Sequence, residues 1–363
     1  MGTEKIKIER NPIKQILQDK FACVALIILT CLYLIVGLAD FFAVYQEEFS
    51  DRGMSYAPPS KIFVITPEGK LSKPYTYNYK RSFNPETFAN DYKIDRTQRY
   101  YLKFFAKGFE YKFLGLFKTD RHLLGLDNSN GRLYFFGADI NGRDNYSRLL
   151  YGGQISLTIG FLALFISFPL GLLYGGISGY VGGLLDNIMM RIAEAIMSIP
   201  SFYLLIILAA ILPANMTSTQ RFTLIIVILA FIGWAGFARV VRGMVLSIKN
   251  QEFVESAKSI GASSLRIIVK HILPQTASYV LVAITLSVPG YILGESGLSF
   301  LGLGIQQPDA SWGNMLKEAQ EYINILYRPW LLIPGYLIFV TILSFNLIGD
   351  TIRDVLDPKS YGR

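Results

Sequence analysis

The chain alternates long apolar runs with shorter polar stretches. The runs are nearly free of charged residues and fall at about 21–42, 150–175, 195–213, 222–242, 276–294 and 329–349. A helix needs about 20 apolar residues to cross about 30 Å of hydrocarbon, so each run is long enough to span a bilayer. Lipid offers no partners to free backbone groups, which favours helices over any open sheet. The pattern therefore predicts an all-α polytopic membrane protein with six transmembrane helices.

Residues 46–148 follow a different pattern, because they are polar overall and yet rich in Tyr and Phe. Residues 61–66 and 71–79 read as strands on either side of a turn at 67–70. Residues 111–117 and 132–136 are predicted to form further strands. We therefore expect a small β-containing extracytoplasmic insertion between helices 1 and 2.

These patterns divide the chain into five parts. They are a cytoplasmic N-terminal segment (1–20), transmembrane helix 1 (21–45), the extracytoplasmic insertion (46–148), a transmembrane core (149–349) with a cytoplasmic loop at 243–275, and a cytoplasmic tail (350–363). In the first part, Asn11 and Pro12 look like a helix start, and Ile13, Ile16 and Leu17 share one face. We expect a helix there that lies on the inner membrane surface.

The charge distribution orients the chain. Hydrophobic residues make up 52% of the sequence and charged residues 17%, with a net charge of +8. With the N-terminus inside, the cytoplasmic segments hold 15 Lys and Arg and the two short outer loops hold three, as the positive-inside rule requires. The basic excess is thus explained by a membrane and not by nucleic acid. Both termini are therefore predicted to be cytoplasmic.

Small residues and prolines punctuate the predicted spans. Glycines recur every fourth residue at 171, 175, 179 and 183, which favours close helix packing. Pro200 is expected to bend the third span, since proline removes a helix hydrogen bond. By position alone, Pro200, Ser201, Pro289 and Glu295 are candidates to border a translocation pathway.

Several kinds of chemistry are disfavoured by the sequence. Cys23 and Cys31 lie too far apart on one helix to form a disulfide, and His122 and His271 fall on opposite sides of the membrane, so no metal site is predicted. Residues 294–297 read GESG, as in intramembrane serine proteases, but no histidine base follows on a later helix. No GxxxxGK[ST] motif occurs, so we predict no cofactor on this chain. Charges within the spans are nearly absent, which argues against the alternative of an ion-coupled secondary transporter or channel subunit.

One cytoplasmic stretch carries the most specific motif. Residues 249–275 read KNQEFVESAKSIGASSLRIIVKHILPQ. Small side chains at Ser256 and Ala257 permit close approach to another protein, and Glu255 offers it a charge. Gly261 can end a first short helix with positive φ, and Leu273-Pro274 is expected to end a second one.

This spacing resembles the E-A-A-x-x-x-G…I-x-L-P loop of ABC importer permeases, with Ser256 in place of the first Ala. Further blocks resemble the C-type subunit of the oligopeptide/dipeptide permease family. They are FGADINGRDNYSRLLYG at 136–152, ESGLSFLGLG at 295–304, SWG at 311–313 and FNLIGDTIRDVLDP at 345–358. The resemblance is close over 136–363 and loose over 1–45, and it leaves 46–135 unexplained.

The resemblance implies a type I importer half that couples to an ATPase and lies in a bacterial cytoplasmic (inner) membrane. The expected partners are a second homologous permease subunit, two cytoplasmic ATPases that hold ATP and Mg²⁺, and an extracytoplasmic solute-binding protein. The implied ATPase-coupling residues are Glu255, Ser256, Ala257, Gly261, Leu273 and Pro274. The insertion is then either a structural cap or a docking surface for the binding protein. Peptides, nickel chelates, sugars and antibiotic peptides remain open as solutes.

Overall fold

The structure of the chain is a computed structural model that describes residues 16–85, 89–213 and 215–356. The predicted helix start at Asn11-Pro12 and the end of the tail at Asp357-Pro358 lie outside the described residues. The helices in chain order are α1 Lys20–Gly37, α2 Ala39–Phe42, α3 Asn145–Val181, α4 Gly183–Met197, α5 Ser201–Ala210, α6 Ser218–Ile248, α7 Glu252–Ser259, α8 Ser264–Ile267, α9 Ala277–Phe300, α10 Trp312–Leu316, α11 Tyr322–Tyr327 and α12 Ile333–Leu356.

Among the described residues, five stretches are long and apolar enough to cross a membrane: α1, α3, α6, Ser264–Phe300 and Pro329–Leu356. Four of the six predicted spans lie within them, and the predicted span at 21–42 overlaps α1 but extends beyond its end at Gly37. The predicted span at 195–213 does not form one straight helix. It falls across α4 and α5, whose axes differ by 79°. Pro200 lies at the break, because its ring and missing N–H prevent α4 from continuing in line.

The longest helices pack at a face of small residues. A Cβ added at Gly171 would lie 2.7 Å from the ring of Phe237, and one at Gly179 would lie 2.8 Å from the carbonyl oxygen of Arg242. Such distances leave no room for a side chain, so α3 and α6 approach each other through their backbones. The prediction that the glycine stripe serves packing is confirmed for Gly171, Gly175 and Gly179, but it is wrong for Gly183, which starts α4 and has nothing within 4 Å of an added Cβ.

The main apolar core joins α1, α3, α6, α9 and α12. The opposite faces of these helices expose large apolar side chains, such as Phe21 at 73% and Phe165 at 78%. An exposed apolar surface of this kind is what a helix bundle presents to lipid.

The polar region between α1 and α3 folds as a four-stranded antiparallel sheet in the order β1-β2-β3-β4. The strands are β1 Phe63–Ile65, β2 Leu71–Asn84, β3 Ala89–Phe113 and β4 Phe117–Leu126. The strand, turn and strand predicted over 61–79 are confirmed. The prediction of one strand over 111–117 is wrong, because residues 114–116 turn between β3 and β4.

Residues 132–136 are also not a strand. The Tyr134 amide donates to the Ser60 hydroxyl at 2.9 Å, and the Ser60 amide donates to the Tyr134 carbonyl at 2.7 Å. Leu133 and Tyr134 are buried. This stretch is therefore an extended segment held between the sheet and the helices.

Candidate functional site

The cytoplasmic loop predicted at 243–275, called the coupling loop below, is mostly helical. Its first residues continue α6 to Ile248, and α7 follows after a short turn. Val254 and Ala257 of α7 are buried in the main apolar core, whereas Glu255 and Ser256 are exposed. Two apolar side chains thus hold α7 against the bundle, while Glu255 and Ser256 on its other face are exposed to solvent.

Gly261 ends α7 in a Schellman motif, as its predicted positive φ requires. Its φ is +79°. The Gly261 amide donates to the Lys258 carbonyl at 2.9 Å, and the Ala262 amide donates to the Ala257 carbonyl at 3.1 Å. These two bonds satisfy carbonyl groups that a helix end leaves free. The chain therefore reverses at Gly261 with a conformation that other residues adopt only with strain.

Two details of the coupling loop differ from the prediction. Ala257 faces the core of its own chain, so its small size permits packing of α7 on the bundle. Pro274 does not end a second helix. It lies in a 3-10 turn, Leu273–Thr276, that follows a π-helical stretch, Ile268–Ile272, and continues into α9. The wider turn of the π-helical stretch before Pro274 allows the helix to continue although proline has no N–H to donate.

Apolar residues also lie on the outer surface of the coupling loop, and the sequence reading passed over them. Ile260 is 85% exposed and Leu265 is 60% exposed, with Phe253 nearby in sequence at 37%. Phe253 and Ile260 lie close in sequence to Glu255 and Ser256 and outside the stretches that could cross a membrane, whereas Leu265 lies at the start of Ser264–Phe300. Exposed apolar residues ringed by polar ones are typical of a protein contact surface.

Basic residues tie the coupling loop to the neighbouring helices. The Lys258 ammonium lies 5.5 Å from the ring centroid of Tyr180 at the end of α3, and the Lys249 ammonium donates to the Gly179 carbonyl at 2.9 Å. Arg242 pairs with Asp186 of α4 at 2.6 Å. Lys258 thus joins α7 to α3, whereas Lys249 and Arg242 join the end of α6 to α3 and α4.

The four residues predicted to border a pathway are not brought together. Pro200 and Ser201 are exposed at the break between α4 and α5. Pro289 is buried within α9. A pathway role for these residues stays a prediction.

Glu295 is fully buried near the C-terminal end of α9. Its carboxylate accepts from the hydroxyls of Ser299 at 2.7 Å, Ser156 at 3.0 Å and Ser296 at 3.3 Å. The Ser156 hydroxyl also accepts from the Trp312 amide at 3.1 Å. In this structure Glu295 joins α3, α9 and α10, and it faces no open channel.

A second polar cluster joins residues around the start of α3 to the segment after α9, and we call it the outer charge cluster after its predicted side of the membrane: Glu47, Asp139, Arg143, Arg148, Gln307 and Glu318. Asp139, Arg143 and Arg148 are buried, Glu47 and Glu318 are partly buried, and Gln307 is exposed. Arg143 pairs with Asp139 at 2.6 Å and donates to the Gln307 side chain. Arg148 donates to the same Gln307 oxygen and to the Pro308 carbonyl, both at 3.0 Å. These contacts give a structural role to the charged residues at 136–148. From the sequence, these residues were noted only as part of a family resemblance.

Burial raises the pKa values of two acids in this cluster, Glu318 and Glu47. Glu318 accepts from the Ile140 amide at 3.1 Å. Burial, followed by the nearby charge of Asp139, raises the pKa of Glu318 to about 7. Burial also raises the pKa of Glu47 above its ordinary value. The cluster is therefore sensitive to pH near neutrality.

An open groove runs along α6, α9 and α12. Its volume is about 790 Å³. Its lining combines small and polar side chains with a few large apolar ones, including Gly233, Gly236, Ser278, Tyr279, Ser287 and Arg353. None of the four predicted pathway residues lines this groove. The hydrophobic periodicity of the sequence did not predict the groove.

Comparison with known families places the chain in context. A family model described as "Binding-protein-dependent transport system inner membrane component" matches residues 167–360. The match spans more than half of the chain and includes the coupling loop and the groove.

Curated relatives agree with this match. The oligopeptide transport system permease protein OppC of Haemophilus influenzae is 44% identical over 242 residues, covering 66% of this chain and 75% of the relative. The dipeptide transport system permease protein DppC of Bacillus subtilis is 45% identical over 228 residues, covering 62% and 69%. The glutathione transport system permease protein GsiD of Escherichia coli is 41% identical over 238 residues, covering 65% and 76%.

A solved structure of the MetNI methionine ABC transporter, in an inward-facing conformation, is also similar. It covers 58% of this chain and 96% of that chain, with 21% identity and a TM-score of 0.45. A likeness of this level carries no argument about fold or function.

Proposed function

Because the chain belongs to the family of binding-protein-dependent transport system inner membrane components, we propose that it forms half of the translocation pathway of an ATP-driven importer for peptides or similar small solutes. It is a multi-pass permease subunit of the inner membrane. The names of the relatives, which refer to oligopeptides, dipeptides and glutathione, support the peptide class. The alternative of an ion-coupled transporter or channel subunit is not favoured.

The observation that carries this proposal is the surface of the coupling loop. The exposed face of α7 presents Glu255 and Ser256 beside Ile260, and Gly261 fixes the turn that follows. In our proposal this face enters a cleft on a cytoplasmic ATPase. Leu273 and Pro274 then connect α8 to α9 and carry the motion into a spanning helix. Closure of the ATPases favours one state of the helices only through contacts that differ between the two states.

The proposed topology is that of a type I importer permease with six spans. The bent pair of α4 and α5 serves as the third span, and both termini are cytoplasmic. Residues 46–148 form an extracytoplasmic insertion, which keeps its two proposed roles as a cap or as a docking surface for a binding protein. The Lys and Arg asymmetry supports this orientation. If proteases cleave 46–148 only from the cytoplasmic side, the topology is overturned.

The proposed assembly contains a second homologous permease subunit, two cytoplasmic ATPases and an extracytoplasmic solute-binding protein. ATP and Mg²⁺ belong to the ATPases, and this chain binds no cofactor of its own. The groove along α6, α9 and α12 is our proposed half of the pathway, because it is open and lined in part by Ser278 and Ser287. The second subunit would close it from the opposite side.

Two substitutions in the coupling loop test the proposal. Glu255→Lys and Gly261→Trp are expected to abolish most solute uptake while the assembled complex continues to hydrolyse ATP, because the loop no longer fits its cleft. The measurements are uptake into proteoliposomes and ATP turnover in the same preparation. Glu110→Lys, which makes the same charge change at an exposed position of β3, is the matched control and should transport normally. Normal uptake by both loop variants would contradict the proposal.

A further inference from the structure

The hairpin formed by β3 and β4 ends in an apolar turn. Leu114, Leu116 and Phe117 are 66%, 74% and 70% exposed. Hairpin turns usually carry Gly, Asn or Asp, because their backbone often needs positive φ. Leu114 nevertheless has a φ of +50°. A leucine in this conformation is locally unfavourable, and its side chain contacts little of the folded chain. The apolar side chains of the turn therefore contribute little to the packing of the fold.

The apolar turn of the hairpin lies close to the end of α1. Gly37 and Leu38, at the end of α1, line one small surface groove together with residues 111–115 of the hairpin. The ring of Phe113 lies 6.0 Å from that of Phe41 in an edge-on contact. The turn therefore lies beside the end of a helix whose 18 residues are just long enough to cross the hydrocarbon.

The level of the hairpin turn follows from its contacts with the end of α1. His122, in the middle of β4, lies 2.7 Å from the Asp40 carbonyl oxygen through its Nδ1. The groove at residues 111–115 includes Gly37 and Leu38 as well as Asp40 and Phe41. The turn therefore lies at the level at which α1 ends, which is the membrane interface if α1 spans the bilayer.

The charges around the turn fit a phospholipid surface. Lys112 and Lys118 face each other across the two strands, directly next to the pair of Phe113 and Phe117. Like charges in such a pair repel each other. Neither lysine has an ion-pair partner among the described residues. Anionic headgroups would relieve this repulsion, and a basic rim with an apolar tip is typical of segments that lie in the membrane interface.

We propose that residues 112–118 form a membrane anchor. The apolar turn inserts into the leaflet at which α1 ends, and Lys112 and Lys118 bind anionic phospholipid headgroups there. The inference rests on the proposed function in one respect, namely that α1 spans the membrane. It assigns the tip of the hairpin to lipid, whichever of the two proposed roles the rest of 46–148 performs.

Depth-dependent fluorescence quenching tests the anchor on the full chain in nanodiscs of phosphatidylethanolamine and phosphatidylglycerol. A single NBD label is attached at Leu116→Cys, or at the control Ser129→Cys beyond the far end of β4, with Cys23 and Cys31 replaced by Ser. A third sample keeps the native Cys31, which is exposed on α1. Nitroxide-labelled lipids are expected to quench position 116 at least about twofold more than position 129, as for an interfacial segment.

The third sample separates the two levels of inference. If lipid quenches Cys31 but not position 116, the anchor is wrong and the span stands. If lipid quenches neither position, the membrane assignment of α1 fails as well. If neither lipid nor aqueous iodide quenches position 116, protein covers it, as in a contact with a second copy, and the anchor is again wrong.

Two further variants check the chemistry of the anchor. Leu114→Asn suits the positive φ and should leave the thermal unfolding temperature unchanged, yet it should reduce quenching at position 116. The double variant Lys112→Glu and Lys118→Glu should lose the increase in quenching that phosphatidylglycerol gives over phosphatidylcholine alone. Unchanged quenching in both variants would overturn the proposal.

Discussion

The two ends of the helix bundle use charged residues in opposite ways. In the coupling loop, Glu255 is exposed, and α7 is held by the buried apolar side chains of Val254 and Ala257. In the outer charge cluster, Arg148 is 2% exposed and its partners belong to its own chain. The outer charges thus make contacts within the subunit, whereas Glu255 of the coupling loop is exposed and, in our proposal, is available to another protein.

This contrast has a physical basis in solvation. An exposed ion pair contributes about 0–1 kcal/mol, because water competes for both partners. Removing one partner of a buried pair costs about 3–5 kcal/mol, because the other charge is left without water or a counter-charge. Substitutions at the two ends should therefore separate stability from transport.

The largest expected effect on stability is at Arg148. Arg148→Met should lower the free energy of unfolding by about 2–3 kcal/mol, because the oxygens of Gln307 and Pro308 lose a charged donor while Asp139 keeps its pair with Arg143. Thermal unfolding in detergent measures it. Arg121→Ala is the control, because its ion pair with Asp120 is exposed and should contribute about 0–1 kcal/mol. Equal losses in the two variants would remove the proposed contrast.

A smaller effect is expected at Gly261. Gly261→Ala should cost about 1–2 kcal/mol, because alanine is strained at a φ of +79°. Gly243→Ala is the matched control, since nothing lies within 4 Å of a Cβ placed there in the interior of α6. This change should stabilise the chain by about 0.5–1 kcal/mol, because alanine loses less entropy than glycine in a helix. The same sign for both variants, measured by thermal unfolding, would contradict the backbone argument.

The smallest effect concerns the pH dependence of the outer charge cluster. Folded Glu318 keeps its proton up to about pH 7, whereas an unperturbed glutamate loses it near 4.5. The folded state thus binds more protons in this window, and the stability from Glu318 is complete below about pH 4.5 and lost as pH rises through 7. Glu318→Gln should remove this dependence.

The measurement compares unfolding temperatures at pH 5 and pH 8. Between these values the wild-type chain should lose about 2 °C more than the variant. A larger decrease in the variant would mean that the sign of the pKa shift is wrong. Glu255→Gln, at an exposed position, should follow the wild type.

The spans could be predicted well because membrane helices leave a simple signal, the absence of charge over about 20 residues. The break at Pro200 was expected only as a bend, since sequence shows that a proline is present but not how far neighbours allow the axis to turn. The prediction that Pro274 ends a helix failed for a related reason. The chain passes from a π-helical stretch through a 3-10 turn into α9, so the helix continues past the proline.

The site was predicted in part. The positive φ of Gly261 followed from residue type, and the structure confirms it. The orientation of Ala257 did not follow, because a small residue suits contact with a partner and contact with its own bundle equally well. The outer charge cluster joins residues more than 150 positions apart, such as Arg148 and Gln307, and one sequence contains no signal for such a pairing.

The most direct test of the account is photo-cross-linking from the coupling loop. A benzophenone label is attached at Ser256→Cys in a chain with Cys23 and Cys31 replaced by Ser, within the assembled complex. Ser129→Cys, beyond the end of β4, is the control. The account predicts covalent adducts with an ATPase subunit from position 256 and none from position 129. Adducts with the ATPase from position 129, or none from position 256, would contradict it.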